Sequence, residues 1–198
     1  VGGLGLDCYR PRRWGPRDVS MLQTVASVLV NAWERHEMAA ALDHRLGSEH
    51  TLATIAADFM RHAPGHASQV TTDAMARLGE QAGVDRVFLF DLEPGGRVTG
   101  HREWCAPGAR FLGEAATISA SEVDWLVQRV RAGHTVHVPD LDALLPEAAA
   151  IGQRWSGQGL QSLLAVPLMV ADAVVGVIGF ESERRRLTWS EADIQLLQ

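Results

Sequence analysis

Aromatic and polar side chains near the predicted strands are the residues of this sequence best suited to bind a small molecule. A mostly apolar cavity with a few polar groups is the usual form of such a site. Alternate side chains of a β-strand share a face, so Arg86, Phe88 and Phe90 point the same way. The candidate site consists of Arg86, Phe88, Phe90, His101, Glu103, Trp104, Trp125, Trp155 and Ser162. Packing of a hydrophobic core would explain the same residue types, so a ligand pocket and a plain core both stay open.

Cysteine and histidine offer little further chemistry. The two cysteines, Cys8 and Cys105, do not make a disulfide framework and fit a reducing cytosol. Thiol catalysis needs a nucleophilic thiolate and normally a resolving partner, and only Cys105 belongs to the main domain. His134 and His137 are three residues apart on a predicted strand, which directs them to opposite faces, whereas metal ligands must converge. We therefore predict neither a catalytic site nor a metal site.

The composition is that of a globular protein without a nucleic-acid partner or a membrane span. Hydrophobic residues make up 46% of the 198 residues and charged residues 21%, which excludes an intrinsically disordered chain. A net charge of −6 and a pI of about 5.7 argue against direct binding of nucleic acid. No apolar run reaches the roughly 20 residues that a membrane span needs. We predict a cytoplasmic protein.

A short internal repeat relates the two ends of the chain. The segment 1–7 is similar to 175–181, and the order in both copies is strand, arginine-bearing loop, tryptophan and capped helix. Further matches are Trp14 with Trp189, Asp18 with Asp193, Leu22 with Leu197 and Gln23 with Gln198. We therefore predict that 1–23 is the C-terminal remnant of an upstream domain and that the terminal helix is truncated at Gln198. The strand Gly3–Cys8 is expected to be frayed, or to pair with an edge strand of this domain or of another molecule.

A long helix is predicted to overlap and follow that remnant. Neither proline nor glycine interrupts the pattern between Pro16 and Gly47, which gives about 45 Å of helix at about 1.5 Å per residue. Its heptad seam consists of Leu22, Val25, Leu29, Ala32, His36, Ala39, Asp43 and Leu46. A parallel dimeric coiled coil that relays a signal and an amphipathic helix that packs on its own domain both fit this seam. Gly47-Ser48 predicts a break or a kink, so the linker helix is placed at 16–47 and the main domain at 48–198.

The main domain is predicted to be α+β. Strands joined by tight turns are antiparallel and the helices cluster before and after them, which is not the order of a doubly wound parallel sheet. Predicted helices cover about 48–63, 68–82, 122–132 and 145–155, with a terminal one from Ser190, and predicted strands cover 87–92, 98–106, 135–138, 162–170 and 173–182. The basic loop Arg184–Arg186 predicts a solvated turn, with an interdomain contact as the alternative.

Two groups of motifs carry a family resemblance. The opening group is Gly83–Phe88 with His101–Cys105, and the closing group is Gln161–Leu168, Val175–Ser182, Trp189 and Asp193-Ile194. Over about 48–198 they resemble GAF domains of a bacterial subgroup found in sensor diguanylate cyclases and histidine kinases. The resemblance implies a six-stranded antiparallel sheet, with helices on one face that join neighbouring domains and a small-molecule pocket on the other. Trp104, Trp125 and Trp155 would wall that pocket.

The resemblance restricts the ligand without identifying it. The Asn-Lys-Phe-Asp-Glu signature of cyclic-nucleotide-binding members is not found in this sequence. Members that bind bilins attach them through a cysteine, often beside a histidine, whereas Cys105 lies between Trp104 and Ala106. The cofactor is therefore unknown.

We predict a non-enzymatic sensory or regulatory GAF domain of a bacterial signal-transduction protein. It would couple binding of an unidentified small molecule or partner to a downstream output domain, such as a diguanylate cyclase or a histidine kinase, and would form a homodimer through the long helix. A ligand-free dimerisation and relay module is the first alternative. The second is a free methionine sulfoxide reductase, an enzyme class that shares the fold and would have to use Cys105.

Overall fold

The computed structural model describes residues 5, 7–62, 64–93, 97–109, 120–141, 144 and 148–197. Its helices are α1 (Pro16–Arg61), a short 3-10 helix (Pro64–His66), α2 (Ala67–Ala82), α3 (Ala120–Arg131), α4 (Ala149–Gly157) and α5 (Glu191–Leu197). Its strands are β1 (Arg86–Leu92), β2 (Val98–Cys105), β3 (Val136–Val138), β4 (Ser162–Val170) and β5 (Ala173–Ser182). The chain divides into two compact units, one ending at Gly47 and the other beginning at Ser48.

Helix α1 begins where the sequence predicts. Pro16 is its first residue, and Asp18 binds back to the helix start, because Asp18 Oδ2 accepts a hydrogen bond from the Gly15 N–H at 2.9 Å. Such a carboxylate satisfies one of the donors that a helix start leaves unpaired. Ahead of it, Gly5 and the stretch 7–15 form no strand, and the other residues of the predicted strand 3–8 lie outside the described part of the chain.

Helix α1 continues through Gly47-Ser48 and ends only at Arg61. A break at this point is therefore wrong, whereas the alternative of a kink stays a prediction. A single glycine in a helix costs only about 1 kcal/mol relative to alanine, and the helix-forming residues on both sides outweigh that cost. Large apolar side chains on the first part of α1 are exposed to solvent: Val25 by 44%, Leu29 by 53% and Trp33 by 68%. Among the described residues no helix combines the length and the apolar composition that crossing a bilayer requires.

The second unit is built on an antiparallel sheet with the strand order β2-β1-β5-β4-β3. The described residues contain five strands, where the resemblance implied six. An antiparallel sheet with helices, preceded by a long helix, confirms the predicted α+β fold class. Helix α5 also confirms its predicted cap, because the Asp193 N–H donates to Ser190 Oγ at 3.2 Å while the Ser190 N–H donates to Asp193 Oδ2 at 3.1 Å.

Each face of the sheet has its own hydrophobic core. On one face, called the α2 face here, Met75 of α2 packs with Val87 and Phe180 of the sheet. On the other, the α3 face, Val130 of α3 packs with Leu163. Consecutive residues of a strand point to opposite faces, so β1, β2, β4 and β5 each contribute side chains to both cores. That alternation decides which of the candidate site residues lie together.

Candidate functional site

Most of the predicted site residues lie on the α3 face of the sheet. Strands β1 and β2 pair so that Glu103 lies opposite Phe88 and His101 lies opposite Phe90. Two tryptophans, one from α3 and one from α4, pack against the core of the same face. The residues brought together in this way are Arg86, Phe88, Phe90, His101, Glu103, Trp125 and Trp155.

The centre of this face is filled by its own aromatic rings. Phe88 and Phe90 are only 6% and 8% exposed, and their ring centroids are 5.1 Å apart. His101 stacks on Phe90 at 4.9 Å with an interplanar angle of 23°. The Phe88 ring lies directly over Gly179, where an added Cβ would be 1.9 Å from Phe88 Cζ. The phenylalanines therefore form a packed floor, as the core interpretation predicts.

Two of the predicted site residues, Trp104 and Ser162, lie on the α2 face instead. Trp104 follows Glu103 in β2, so alternation turns it to the opposite face, where it packs against Gly79 of α2. Ser162 is fully buried, and its Oγ accepts a hydrogen bond from the Leu187 N–H at 3.1 Å. Both residues hold helices or loops to the sheet, and the candidate site has to be redrawn without them.

A buried cluster of charges occupies one end of the α3 face. The Arg86 guanidinium forms ion pairs with Glu181, with Glu183 at 3.1 Å and with Glu103 at 3.6 Å. The side chains of Arg86 and Glu103 are only 6% and 2% exposed. The two other carboxylates were missed in the sequence, because their approach to Arg86 depends on the register in which β5 pairs with β1.

The titration behaviour of Arg86 and Glu181 follows from their burial and from the charges around them. Burial lowers the pKa of Arg86, but Glu181 and then the two other carboxylates outweigh burial, so that its pKa is raised. Burial raises the pKa of Glu181, and the repulsion from Glu103 and Glu183 adds to it against the pull of Arg86.

Cys105 belongs to the same cluster and is held as a thiol. Its Sγ lies 3.4 Å from Glu103 Oε1. Burial, followed by the charge of Glu103, raises the pKa of Cys105 to about 12. A thiolate is the nucleophilic form of cysteine, so this environment suppresses the reactivity of the thiol.

The basic loop before α5 is more ordered than the predicted solvated turn. Asp85 accepts hydrogen bonds from the backbone N–H groups of Glu183 at 2.8 Å and Arg184 at 3.0 Å. The Arg185 side chain donates to the carbonyl of Gly83 at 2.8 Å. Arg186 forms an ion pair with Asp140 at 2.7 Å. The arginines are partly solvated but paired, and they fasten the loop to the rest of the second unit.

A cavity of about 290 Å³ lies beside β3, at the edge of the sheet. Its lining residues are Trp125, Arg129, His134, Thr135, Val136, His137, Val138, Pro139, Asp140 and Leu144. The Trp125 ring forms a T-shaped pair with Trp155 at 6.1 Å, and the guanidinium of Arg129 lies over it at 4.9 Å. Of the predicted site residues, Trp125 is the one that borders this space.

Two buried nitrogen atoms among the lining residues have no hydrogen-bond partner in the described part of the chain: Trp125 Nε1 and His137 Nε2. The His137 ring packs against Trp189 of the α2 face, with centroids 5.7 Å apart, and burial lowers its pKa. The described residues contain no group of three or more histidine, cysteine or acidic side chains that could hold a metal ion.

Comparison with known proteins places this architecture in a family. The model of the GAF domain family matches residues 66–198. The solved structure of the far-red-absorbing dark state of JSC1_58120g3, with bound biliverdin IXa, has a TM-score of 0.58 at 14% identity. The match covers 74% of this chain and 90% of that one. A phycocyanobilin-bound GAF domain from a cyanobacterial phytochrome has a TM-score of 0.57 at 16% identity, covering 76% and 87%.

The photoproduct state of GAF3 from Slr1393 of Synechocystis sp. PCC6803 has a TM-score of 0.53 at 17% identity, covering 62% of this chain and 80% of that one. Identities this low show a shared fold and nothing finer. A search of curated proteins gives no match.

Proposed function

Because the chain belongs to the GAF domain family, we propose that it is a sensory or regulatory domain of a bacterial signal-transduction protein. It couples the binding of a small molecule or a partner to a downstream output domain, such as a diguanylate cyclase or a histidine kinase. Its free Cys8 and Cys105 suit a reducing compartment, which supports a cytoplasmic location.

The observation that carries this proposal is that the same strands serve both faces of the sheet. On β2, Glu103 reaches the charged cluster of the α3 face, and the next residue, Trp104, packs against α2. On β3, Val138 belongs to the core of the α3 face, whereas His137 contacts Trp189 just ahead of α5. A ligand that prefers one position of these strands therefore also selects one position of α2 or α5, which is the requirement for transmitting its presence.

A non-enzymatic role fits the thiol chemistry. With the pKa of Cys105 at about 12, only about one thiol in 10⁵ is ionised at pH 7. A free methionine sulfoxide reductase needs a nucleophilic thiolate and a resolving thiol. Cys8, the other cysteine of the chain, lies outside the matched residues 66–198, which argues against that reaction.

The bilins named for the structural neighbours do not fit this chain as covalent ligands. Covalent attachment needs a reactive cysteine beside the chromophore, and Cys105 is held protonated against Glu103. The phenylalanines that form the floor of the α3 face are packed in the core of that face. We therefore propose sensing of a smaller molecule than a bilin.

A thermal-shift screen of the 198-residue chain against nucleotides and metabolites tests the sensory role. A ligand at about 100 times its Kd stabilises the folded state by about 2.7 kcal/mol, so a true ligand gives a saturable rise in Tm. Hydrogen exchange with that ligand should then change in α2 or α5 as well as at the binding site. A ligand whose effect stays confined to the residues it touches would contradict the coupling.

The ligand-free relay is a second candidate function, favoured by the exposed apolar seam of α1. In a parallel dimer Val25 and Leu29 would face their copies across the seam, which removes their apolar surface from water. Sedimentation should show a dimer that Leu29→Asp dissociates, whereas Val30→Asp, at an exposed position one residue away from the seam, leaves it intact. A monomer at concentrations of about 100 μM, well above the micromolar range of weak specific association, would contradict dimerisation through α1.

A further inference from the structure

We propose that the cavity between α3 and β3 binds a small aromatic carboxylate, with its ring near Trp125 and its carboxylate near Arg129. The proposal rests on the sensory function proposed above and gives it a place and a ligand class. The site lies beside α3 and the edge strand β3, and its lining does not include Phe88 or Phe90.

The size and lining of the cavity select the body of the ligand. A volume of about 290 Å³ is at the lower limit of small-molecule pockets, and it suits a ligand of about one or two rings. Val136, Val138, Pro139 and Leu144 supply apolar surface beside the indole of Trp125. Flat apolar molecules gain most from such walls, because aromatic rings pack favourably against an indole in offset or edge-on geometry.

The charges at the rim select an anion. Arg129 holds its guanidinium over the Trp125 ring at 4.9 Å, so a positive charge already stands beside the aromatic wall. The acidic lining residue, Asp140, forms an ion pair with Arg186 at 2.7 Å, which offsets its repulsion of an anion. Arginine binds a carboxylate through two parallel hydrogen bonds, so a carboxylate suits this rim better than a neutral amide.

The buried indole nitrogen supplies the independent observation. Trp125 lines the cavity, and its Nε1–H is buried without an acceptor in the described part of the chain. A buried donor without a partner costs about 1–3 kcal/mol. A rotation of the indole toward the cavity would let a bound carboxylate oxygen accept this hydrogen bond. Because β3 is the edge strand of the sheet, one row of its backbone groups is also unused by sheet pairing among the described strands.

The test observes the indole N–H directly. The chain contains six tryptophans, so a ¹⁵N-labelled sample gives six indole cross-peaks in a ¹H–¹⁵N spectrum, and Trp125→Phe identifies the peak of Trp125 by its loss. The probes are benzoate and 2-naphthoate, with benzamide as the neutral analogue and cyclohexanecarboxylate as the non-aromatic one. We expect both aromatic carboxylates to move the Trp125 peak saturably, with affinities at least tenfold higher than those of the two analogues.

Two variants separate recognition from simple partitioning into an apolar space. Arg129→Gln keeps the indole and should weaken benzoate binding about tenfold, with the preference over benzamide lost. Trp33→Phe removes an exposed indole of α1 and should leave the affinity unchanged. If Trp125→Phe unfolds the chain, the affinities of the four compounds are measured by thermal shift instead, and the comparison of the unmutated chain with Arg129→Gln decides the outcome.

A Trp125 peak that no probe moves, or equal binding of the carboxylate by the Arg129→Gln chain, would overturn the proposal. So would movement of the peak by all four compounds alike, because that result means non-specific filling of an apolar space. A thermal-shift ligand that leaves the Trp125 peak in place would overturn this site while supporting the sensory function. Binding of benzoate here without any change in the hydrogen exchange of α2 or α5 would support the site and contradict the sensory function.

Discussion

Replacing Gly79 with alanine tests the contact that ties α2 to the sheet. A Cβ added at Gly79 would lie 2.0, 2.5 and 2.8 Å from Cζ3, Cε3 and Cη2 of Trp104. All three distances are far below van der Waals contact, so the indole has to move. Overpacking of this kind destabilises the folded chain by about 1–3 kcal/mol, whereas alanine in place of glycine inside a helix stabilises it by about 1 kcal/mol. We expect Gly79→Ala to lower the free energy of unfolding by up to about 2 kcal/mol, measured by urea denaturation at pH 7.5.

The effect of Gly79→Ala on the free energy of unfolding should change sign when the indole of Trp104 is removed. A leucine side chain ends at its δ carbons and lacks the three ring atoms that the new Cβ meets. In a Trp104→Leu background, Gly79→Ala should therefore stabilise the chain by up to about 1 kcal/mol through helix propensity alone. The double-mutant cycle then gives a coupling energy of about 1–3 kcal/mol between the two positions.

A helical glycine with open space around it provides the matched control. Gly157 closes α4, and a Cβ there would meet nothing within 4 Å. Gly157→Ala should stabilise the chain by up to about 1 kcal/mol through helix propensity, and by the same amount in either background. If Gly79→Ala has the same effect with tryptophan and with leucine at position 104, the proposed packing of α2 on β2 is refuted.

Three further predictions concern the buried polar groups. Arg86→Gln removes the cation that pairs with Glu103, Glu181 and Glu183, and it should cost about 3–5 kcal/mol at pH 8. Arg86 opposes the raised pKa of Glu181, so its loss should raise that pKa further. The stability that protonation of Glu181 provides is present below its ordinary pKa of 4.5 and lost as the pH rises through the folded value, so the deficit of the variant should shrink toward pH 5. Asp85→Asn should cost about 1.5–3 kcal/mol at neutral pH. Burial raises the pKa of Asp85, but the hydrogen bonds that it accepts outweigh burial and lower it. Its contribution to stability is therefore present above pH 3.8 and lost as the pH falls through the folded pKa, so the difference between Asp85→Asn and the unmutated chain should disappear in acid. In a thiol titration at pH 8, Cys8 should react at once and Cys105 at least about 100-fold more slowly until the chain unfolds.

Each of these predictions has its own control and its own contradicting result. Arg97→Gln breaks an exposed pair with Glu93 and should cost less than about 0.5 kcal/mol. A deficit of Arg86→Gln that is the same at pH 5 and pH 8 would mean that no carboxylate of the cluster takes up a proton. An Asp85→Asn deficit that persists below pH 3 would show that shape, and not charge, holds the loop. Equal reaction rates of Cys8 and Cys105 would contradict the prediction that burial and Glu103 protect the Cys105 thiol.

Sequence reasoning places side chains correctly where only local geometry is needed. Alternation along β1 assigns Arg86, Phe88 and Phe90 to one face, and the starts of α1 and α5 follow from Pro16 and Ser190. These features depend on residues within a few positions of each other, whose geometry is the same in any fold that contains the element. The α+β class follows for the same reason, from hairpins that a few turn residues determine.

The set of predicted site residues includes side chains from both faces of the sheet, because the alternation along β2 was not applied to it. Glu103 and Trp104 are neighbours in one strand and therefore cannot share a face, although both were assigned to the pocket. The carboxylates of Glu181 and Glu183 were out of reach for a different reason. Which residue of β5 lies beside Arg86 depends on strand register, and register is fixed by the complete pattern of both cores and not by a local motif.

The alternation that separates these side chains also explains how a domain of this kind can report what it binds. A sheet is one strand thick, so a displacement of β3 toward the α3 face draws His137 away from Trp189 on the other face. The same displacement of β2 would move Glu103 within a charged cluster and Trp104 against the closely fitting Gly79. Because packed contacts resist small shifts and exchange between discrete arrangements, a ligand on the α3 face need only favour one strand position to favour one helix position. The coupling can then be measured at the closely packed Gly79 and at the indole N–H of Trp125, which has no acceptor in the described part of the chain.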